Sequence, residues 1–300
     1  MEDVLLEKSD HRHPDVIIFI HNINLCGGTE IMALNLMEAM NSSDLKCRIL
    51  SLIPYKGDDE NILSFHQSAV KPYLQIAKSP IYKLLAPQKH SHILKNLLSN
   101  VVETIQPKLL INFTYDLLPA TPENNGKTQM CGIFHWSVYG YEQSIIKQIK
   151  HKPFFQRYLS SALFTYNTRE IHHSLLRLDK LIVLTHAGKR EALSLTPKIC
   201  AKRIHVIPNF IPYDKPCQNI SALNNKIAIF VGRLSNEKGC YRLLDIWEAI
   251  SHKNPDWHLN IYGEGNEQRE MEYIIKQKEL PNIHFCGFQK DIANIYKNAD

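Results

Sequence analysis

The sequence lacks any apolar run of about 18 residues, the length that a helix needs to cross a bilayer. Its opening stretch, MEDVLLEKSDHRHPD, is acidic and polar, without the basic and then apolar pattern of a secretory signal peptide. These two absences favour a cytoplasmic protein.

Cysteine is scarce and scattered, with seven residues in 300 and no Cys-x-x-Cys pair. This pattern excludes a disulfide framework and a cysteine zinc site, so we expect mostly reduced, buried thiols. An Asp-x-Asp pair, which could chelate a metal ion, is also missing. His172 and His173 have no acidic partner at ligand spacing and are interpreted as surface histidines. Gly126-Lys127-Thr128 imitates the end of a Walker A motif, but position 121 is threonine, which excludes a P-loop.

Acidic residues are absent from two long stretches, residues 61–102 and 143–169, and the whole chain carries a net charge of +5. A basic surface of this kind suits an anionic partner such as a lipid headgroup, a phosphorylated carrier or nucleic acid. A solvated basic face without any partner is the alternative.

Short apolar runs alternate with amphipathic stretches, which is typical of βαβ units around a parallel sheet. The continuous apolar run Val16–Ile20 predicts a strand buried on both faces, and Thr29–Met40 follows with helical spacing. Further strands are predicted at 47–53, 108–113, 130–134, 180–184 and 203–207, and a long helix at 154–176.

A second series of the same kind follows residues 208–224, which contain three prolines and are expected to link two domains. Its predicted strands are 226–231, 257–262 and 282–285, and its predicted helices are 239–252, 267–278 and 291–298. The length also fits about two domains. We therefore predict an α/β protein with two Rossmann-like domains, residues 1–215 and 225–300. A doubly wound sheet has more than three strands, so strand 226–231 is left with an unpaired edge, and the second domain is expected to be truncated at residue 300.

Strand-to-helix loops carry the candidate chemistry, because ligands of open α/β sheets bind beyond the carboxyl ends of the strands. In the loop from Gly232 to Gly239, Arg233 and Lys238 can neutralise a diphosphate as it leaves. Gly27 and Gly28 allow a ligand to approach the backbone at a helix N-terminus, although a tight turn without a ligand explains them equally well.

Three more candidates follow predicted strands. Tyr262-Gly263-Glu264-Gly265-Asn266 ends one strand, and Phe285-Cys286-Gly287-Phe288 ends the next. His135 comes directly after strand 130–134, where it can hydrogen-bond a hydroxyl group or move a proton. Ordinary glycine turns and a structural histidine are the alternatives.

Together these residues resemble a known family. The segments IAIFVGRLSNEKGCYRLLDIW, LNIYGEG, NIHFCGF and DIANIYKNAD are similar to the donor domain of family 4 retaining glycosyltransferases, of the GT-B fold (glycosyl transferases group 1). The upstream GGTE, DKLIVLTHAGKREAL and RIHVIPNFI resemble the family's acceptor domain.

The resemblance implies two Rossmann-like domains that face a cleft and transfer of a sugar with retention, without a metal ion or other cofactor. Arg233 and Lys238 would bind the donor diphosphate, which Gly27 and Gly28 would meet through backbone N–H groups. Around the nucleoside, the resemblance places Gly263, Glu264, Gly265 and Phe288, and it places His135 near the transferred sugar. It implies a nucleoside diphosphate sugar as donor, with uridine as the expected base and guanosine as the alternative, and a glycan or lipid-linked acceptor in surface polysaccharide synthesis. Nucleic acid is not expected as a partner.

The sequence departs from the family in one respect, because the Glu-x7-Glu motif that holds the sugar and ribose is absent before Asp300. The family also includes membrane-bound members, and residues 71–100 could contact an anionic membrane. Their apolar residues, set among lysines, are Tyr73, Leu74, Ile76, Ile81, Leu84, Leu85, Ile93, Leu94 and Leu97.

Two other functions remain open from the sequence. The missing carboxylates favour a non-catalytic fragment that retains only acceptor or membrane binding. A nicotinamide-dependent oxidoreductase is disfavoured, because neither half shows a G-x-G-x-x-G fingerprint followed by an acidic residue.

Overall fold

The computed structural model describes residues 6–7, 13–25, 27–78, 87–135, 137–150, 153–210, 221, 223–289 and 292–299. The chain divides into two compact units, Met1–Pro212 and Tyr213–Asp300. Each unit is built around its own sheet.

The sheet of the first unit has eight described strands. They are β1 (Leu6–Glu7), β2 (Val16–Ile20), β3 (Cys47–Ser51), β4 (Ile62–Phe65), β5 (Leu109–Asn112), β6 (Gln129–Phe134), β7 (Lys180–Val183) and β8 (Ile204–Val206). Their spatial order is β1-β4-β3-β2-β5-β6-β7-β8. All pairs are parallel except β1 with β4. The chain reverses direction across the sheet between β2 and β5, the place where doubly wound folds bind ligands.

Helices cover both faces of this sheet, as the buried run in β2 requires. They are α1 (Gly28–Asn41), α2 (Gln67–Lys78), α3 (Pro87–Ile105), α4 (Val138–Lys150), α5 (Phe154–Leu175) and α6 (His186–Leu195). Ile17 and Phe19 point into one buried apolar cluster with residues of α3 and α5, while Ile18 points into the other with Met37 of α1. Alternate residues of one strand therefore hold two helical layers.

The predicted strands and helices of this unit are present, with ends that differ by one or two residues. Six elements were not predicted, namely the strands β1 and β4 and the helices α2, α3, α4 and α6. The apolar residues expected at a membrane surface are partly in the core. Tyr73, Leu94 and Leu97 are buried, and Leu74 and Ile93 pack against the same cluster, so the expectation is wrong for these five. The side chains of Ile76, Ile81, Leu84 and Leu85 lie outside the described part of the chain.

The second unit has three described parallel strands in the order β11-β10-β9. These are β9 (Ile227–Val231), β10 (His258–Tyr262) and β11 (Ile283–Gly287), with helices α7 (Cys240–Ser251), α8 (Gln268–Gln277) and α9 (Ile292–Lys297). Trp247 is buried against Leu259 and Met271, and its indole N–H donates to the Pro281 carbonyl at 2.8 Å. Strand β9 pairs only with β10 among the described residues.

The expected linker, residues 208–224, is described only at 208–210, 221 and 223–224. Within the described ranges, no helix is both long enough and apolar enough to cross a membrane.

Candidate functional site

The three strands of the second unit all end at the same edge, and their loops build a pocket there. After β9, the chain forms a short 3-10 helix, Asn236–Lys238. Gly239 then adopts a left-handed conformation, with φ 77°, that starts α7. Glycine takes this conformation without the penalty that a side chain would bring. The loop thus leads from strand to helix within a few residues and leaves Arg233 and Lys238 exposed.

Backbone hydrogen bonds continue beyond the ends of the strands and tie the three loops together. The Gly232 N–H donates to the Tyr262 carbonyl at 2.9 Å, and the Leu234 N–H donates to the Glu264 carbonyl at 2.9 Å. The Gly263 N–H donates to the Gly287 carbonyl at 2.8 Å. The three loops therefore form one hydrogen-bonded layer above the sheet.

Two glycines allow this close approach of backbones. A Cβ on Gly263 would lie 1.9 Å from the Gly232 carbonyl oxygen, and its φ of +136° disfavours any side chain. A Cβ on Gly265 would lie 2.1 Å from the Leu234 carbonyl oxygen. The two glycines of the Tyr-Gly-Glu-Gly motif are thus required by the packing of the protein itself, whatever ligand it binds.

An open pocket of about 690 Å³ lies at this edge. Its lining consists of Arg233, Glu264, Gly265, Asn266, Gln268, Phe285 and Gly287. One guanidinium and one carboxylate at the rim give the pocket a donor for phosphate oxygens and an acceptor for hydroxyl groups.

Most of the predicted residues of this unit converge on the pocket. Arg233, Glu264 and Gly265 line it. The Gly263 N–H donates to the carbonyl of Gly287, which also belongs to the lining. Lys238 lies in the Arg233 loop and Phe288 follows Gly287, but neither belongs to the lining. Asn266, Phe285 and Gly287 belong to the two predicted motifs at the strand ends, although no role was predicted for them, and Gln268 was not selected. Their positions directly after β10 and at the end of β11 were the available signal.

A second candidate site lies in the first unit, where β2, β5 and β6 end side by side. Gly27 caps α1 in an extended conformation, and no side chain caps this helix N-terminus. A Cβ built on Gly28 meets nothing within 4 Å. An uncapped helix N-terminus with open space around it can receive an anion through backbone N–H groups.

His135 follows β6, and its ring centroid lies 4.7 Å from that of Phe113, which follows β5. Burial lowers the pKa of His135 to about 4, because the charged imidazolium would lose hydration. The imidazole is therefore neutral near pH 7 and can donate a hydrogen bond to a hydroxyl group or accept one from it.

A carboxylate on another helix fixes the loop that carries His135. The Ser137 hydroxyl donates to Glu191 of α6 at 3.0 Å, and the Tyr139 N–H donates to the same carboxylate. The Gly140 N–H donates to the Ser137 hydroxyl at 3.0 Å. Together these contacts satisfy free N–H groups in the first turn of α4.

Close by, the prediction that His172 is a surface histidine without an acidic partner is wrong. Its Nε2 lies 3.1 Å from Oε1 of Glu142, and both side chains are mostly buried. The Tyr115 hydroxyl donates to the same oxygen at 3.1 Å. This network joins α4 and α5 to the turn after β5.

The predicted site residues thus form two groups, one in each compact unit. Gly27, Gly28 and His135 belong to the first, and the residues of the pocket belong to the second. Across the described residues, no group of three or more His, Cys, Asp or Glu side chains could hold a metal ion.

Comparison with known proteins connects the pocket to a family. Residues 215–300, which include every pocket residue, match the family described as Glycosyl transferases group 1. The chain is 23% identical to an uncharacterized glycosyltransferase of Haemophilus influenzae over 285 residues, 94% of this chain and 71% of the relative. It is 30% identical to the amylovoran biosynthesis glycosyltransferase AmsD of Erwinia amylovora over 127 residues, 40% of this chain and 35% of the relative.

Solved structures show the same architecture. A mutant of TarM from S. aureus, in complex with fondaparinux, α-GlcNAc-glycerol and UDP, superposes with a TM-score of 0.67 at 13% identity. The superposition covers 95% of this chain and 80% of TarM. The chain has the GT-B fold of glycosyltransferases, and its residues 215–300 match the family Glycosyl transferases group 1.

Proposed function

We propose that the chain is a family 4 retaining glycosyltransferase. It would transfer a sugar from a UDP-linked donor to a glycan or a lipid-linked acceptor in surface polysaccharide synthesis. The observation that carries this proposal is the pocket at the ends of β9, β10 and β11, where Arg233 and Glu264 share one lining inside the segment that matches the family.

Arg233 and Lys238 are assigned to the donor diphosphate. Arg233 offers a planar fork of N–H donors that matches two phosphate oxygens, and Lys238 offers a compact charge from the same loop. When the bond from the sugar to the diphosphate breaks, negative charge accumulates on the leaving oxygen. Fixed cations stabilise that charge more strongly than they stabilise the intact donor, and this difference accelerates the reaction.

The nucleoside is assigned to the loop after β10. The Glu264 carboxylate is an acceptor that suits ribose hydroxyl groups, and the adjacent Gly265 also lines the pocket. Phe288 is exposed directly after Gly287, where its ring can stack on a base.

In the first unit, the N-terminus of α1 at Gly27 and Gly28 is assigned to the donor phosphate or sugar, because its N–H groups have no side-chain cap. His135 is assigned to a hydroxyl group of the transferred sugar. As a neutral imidazole it can hold such a group without adding a positive charge.

The relatives support the donor and the biological setting. TarM was solved with UDP and α-GlcNAc-glycerol, and AmsD is named for amylovoran biosynthesis. The cations of the Arg233 loop can provide the charge that a metal ion would otherwise supply, so we propose activity that does not depend on a metal. The cytoplasmic location remains a prediction from the sequence, as does membrane contact through those apolar residues of the segment 71–100 that are not in the core.

Calorimetric titration with UDP, GDP, uridine and NAD tests the donor site. UDP should bind best, and the double substitution Arg233→Ala/Lys238→Ala should weaken UDP by at least about tenfold per residue, since each removes a charged hydrogen bond. Uridine lacks the diphosphate, so its weaker binding should not change in this variant. Lys253→Ala, which removes an exposed cation just after α7, is the matched control.

Each outcome of the titration supports a different conclusion. Tighter binding of GDP would replace uridine by guanosine as the donor base. Binding of NAD alone would favour the oxidoreductase. A folded chain that binds none of them would favour the non-catalytic alternative. If UDP binds, NMR of the sugar released from an α-linked UDP-sugar tests retention, since the α-anomer should appear first.

A further inference from the structure

Helix α5 carries exposed aromatic residues at its N-terminal end that the proposed function does not use. Phe154, Phe155 and Tyr158 are 78%, 71% and 70% exposed. At the other end of the same helix, Ile171 and Leu175 are buried in the core of the first unit. Since α5 has 22 residues, it spans about 33 Å at 1.5 Å per residue, so the aromatic end lies far along the helix from the residues that anchor it in the core.

Positive charge accompanies these rings. Lys150, the last residue of α4, and Arg157 are exposed, and the guanidinium carbon of Arg157 lies 5.7 Å from the centre of the Phe154 ring. A cation at this distance is attracted to the face of an aromatic ring. No Asp or Glu occurs from residue 143 to residue 169, so the charge is not neutralised along the sequence. We call Lys150, Phe154, Phe155, Arg157 and Tyr158 the aromatic tip.

The combination of rings and cations fits the boundary between lipid headgroups and acyl chains. Aromatic rings bury their apolar body at this depth, and Lys and Arg keep their charge among the headgroups. Anionic lipids attract such cations, at about fivefold in affinity for each residue near the surface. The aromatic tip offers both kinds of group within nine residues of the sequence, at the end of α4 and the start of α5.

A second copy of the chain fits less well. Complete burial of three aromatic side chains removes about 450–750 Å² from water, whereas a stable interface needs about 800 Å² from each partner. The cations would also face the cations of the other copy in a symmetric contact.

We infer that the aromatic tip docks the chain onto an anionic lipid bilayer. This site differs from residues 71–100, whose described apolar residues are largely in the core. The inference does not depend on the proposed function, because it rests only on α4 and α5. Docking through the tip would hold the first unit at the membrane surface.

Co-sedimentation with lipid vesicles tests this inference. The wild-type chain should bind vesicles that contain phosphatidylglycerol and should bind pure phosphatidylcholine much more weakly. The triple variant Phe154→Ser/Phe155→Ser/Tyr158→Ser should lose about tenfold or more in partition coefficient, because apolar burial is lost. The partition coefficient of Lys150→Gln/Arg157→Gln should fall by about fivefold for each cation removed at low salt, and by less at high salt. The control Tyr273→Ser/Lys276→Gln removes an exposed ring and an exposed cation from α8 and should change nothing.

A tryptophan probe gives a second readout in case a multiple variant folds poorly. The Phe155→Trp variant should show additional tryptophan emission that the wild type lacks. This emission should shift to the blue on anionic vesicles and be quenched by nitroxide-labelled lipid. Tyr273→Trp should show neither effect. Absence of vesicle binding would overturn the inference, as would equal loss in the control variant. Dimers in light scattering that dissociate in the triple variant, without vesicle binding, would assign the tip to a second copy. Preferential binding of a single-stranded oligonucleotide by the same residues would also overturn it.

Discussion

Substitution of Gly263 by alanine tests the architecture of the pocket at the ends of β9, β10 and β11 most directly. The new Cβ would lie 1.9 Å from the Gly232 carbonyl oxygen and 2.9 Å from its carbon. Neither atom belongs to a flexible side chain, so the loops after β9 and β10 must separate. Strain from φ of +136° costs about 1–3 kcal/mol, and overpacking costs about the same again. The expected loss is roughly 2–6 kcal/mol, a large part of the usual 5–15 kcal/mol of stability.

Gly28→Ala is the matched control in the same chain. A Cβ there meets nothing within 4 Å, and Gly28 begins α1, so the free energy of unfolding should change by less than about 1 kcal/mol. If the N–H groups at this position meet the donor, the variant should nevertheless lose transfer activity, because the methyl group occupies the space of the ligand.

Urea denaturation followed by tryptophan fluorescence measures both variants. Trp247 and Trp257 pack in the core of the second unit, so the signal reports mainly on the unit that contains Gly263. Gly263→Ala should lower the urea midpoint and abolish UDP binding, while Gly28→Ala should keep its midpoint. A wild-type midpoint for Gly263→Ala would refute the argument that close backbone contact, rather than a ligand, requires glycine there.

Three further predictions concern the first unit. Burial lowers the pKa of His135 to about 4, so the unfolded chain protonates this imidazole at a higher pH than the folded chain does. The free energy of unfolding should therefore fall as the pH is lowered from about 6.5 to about 4, by at most about 3 kcal/mol from this residue. His135→Asn should flatten that part of the plot of unfolding free energy against pH, and an unchanged slope would contradict the assignment. Asn112→Ala should lower the free energy of unfolding, measured by urea denaturation, by about 2–4 kcal/mol, since the buried amide accepts from the Thr114 N–H and donates to the Leu117 carbonyl. A loss below about 1 kcal/mol would show that the turn after β5 does not depend on this side chain. Glu191→Ala should speed hydrogen exchange of the amides at 139–141, whereas Glu191→Gln should retain part of the protection; equal exchange in all three proteins would exclude the role of Glu191 in holding the His135 loop.

The sequence predicted those parts of the molecule in which local pattern and structure coincide. Strand β2 is a run of five apolar residues, and a strand buried on both faces needs little else. The loops after β9 and β10 were found because glycines mark sharp changes of direction directly after apolar runs. The missed strand β4 has only four residues, and α2 contains Pro72 within the helix, so neither shows a sustained period.

Contacts between distant positions had no local signal. Glu142 and His172 are 30 positions apart, and Glu191 is 54 positions from Ser137. Only the packing of helices α4, α5 and α6 brings these side chains together. The same reason explains Gln268, which lines the pocket from the start of α8 and belongs to no motif.

The hydrogen bonds that join the loops after β9, β10 and β11 have a consequence for the thermodynamics of binding. A ligand usually loses affinity when it must order mobile loops, because each ordered residue gives up conformational entropy. Here the Gly232, Leu234 and Gly263 amides are already engaged with neighbouring loops, so only side chains such as Arg233 remain to be ordered. The backbone of the pocket therefore acts as a rigid template, and differences in ligand preference among variants should arise from side chains at its rim.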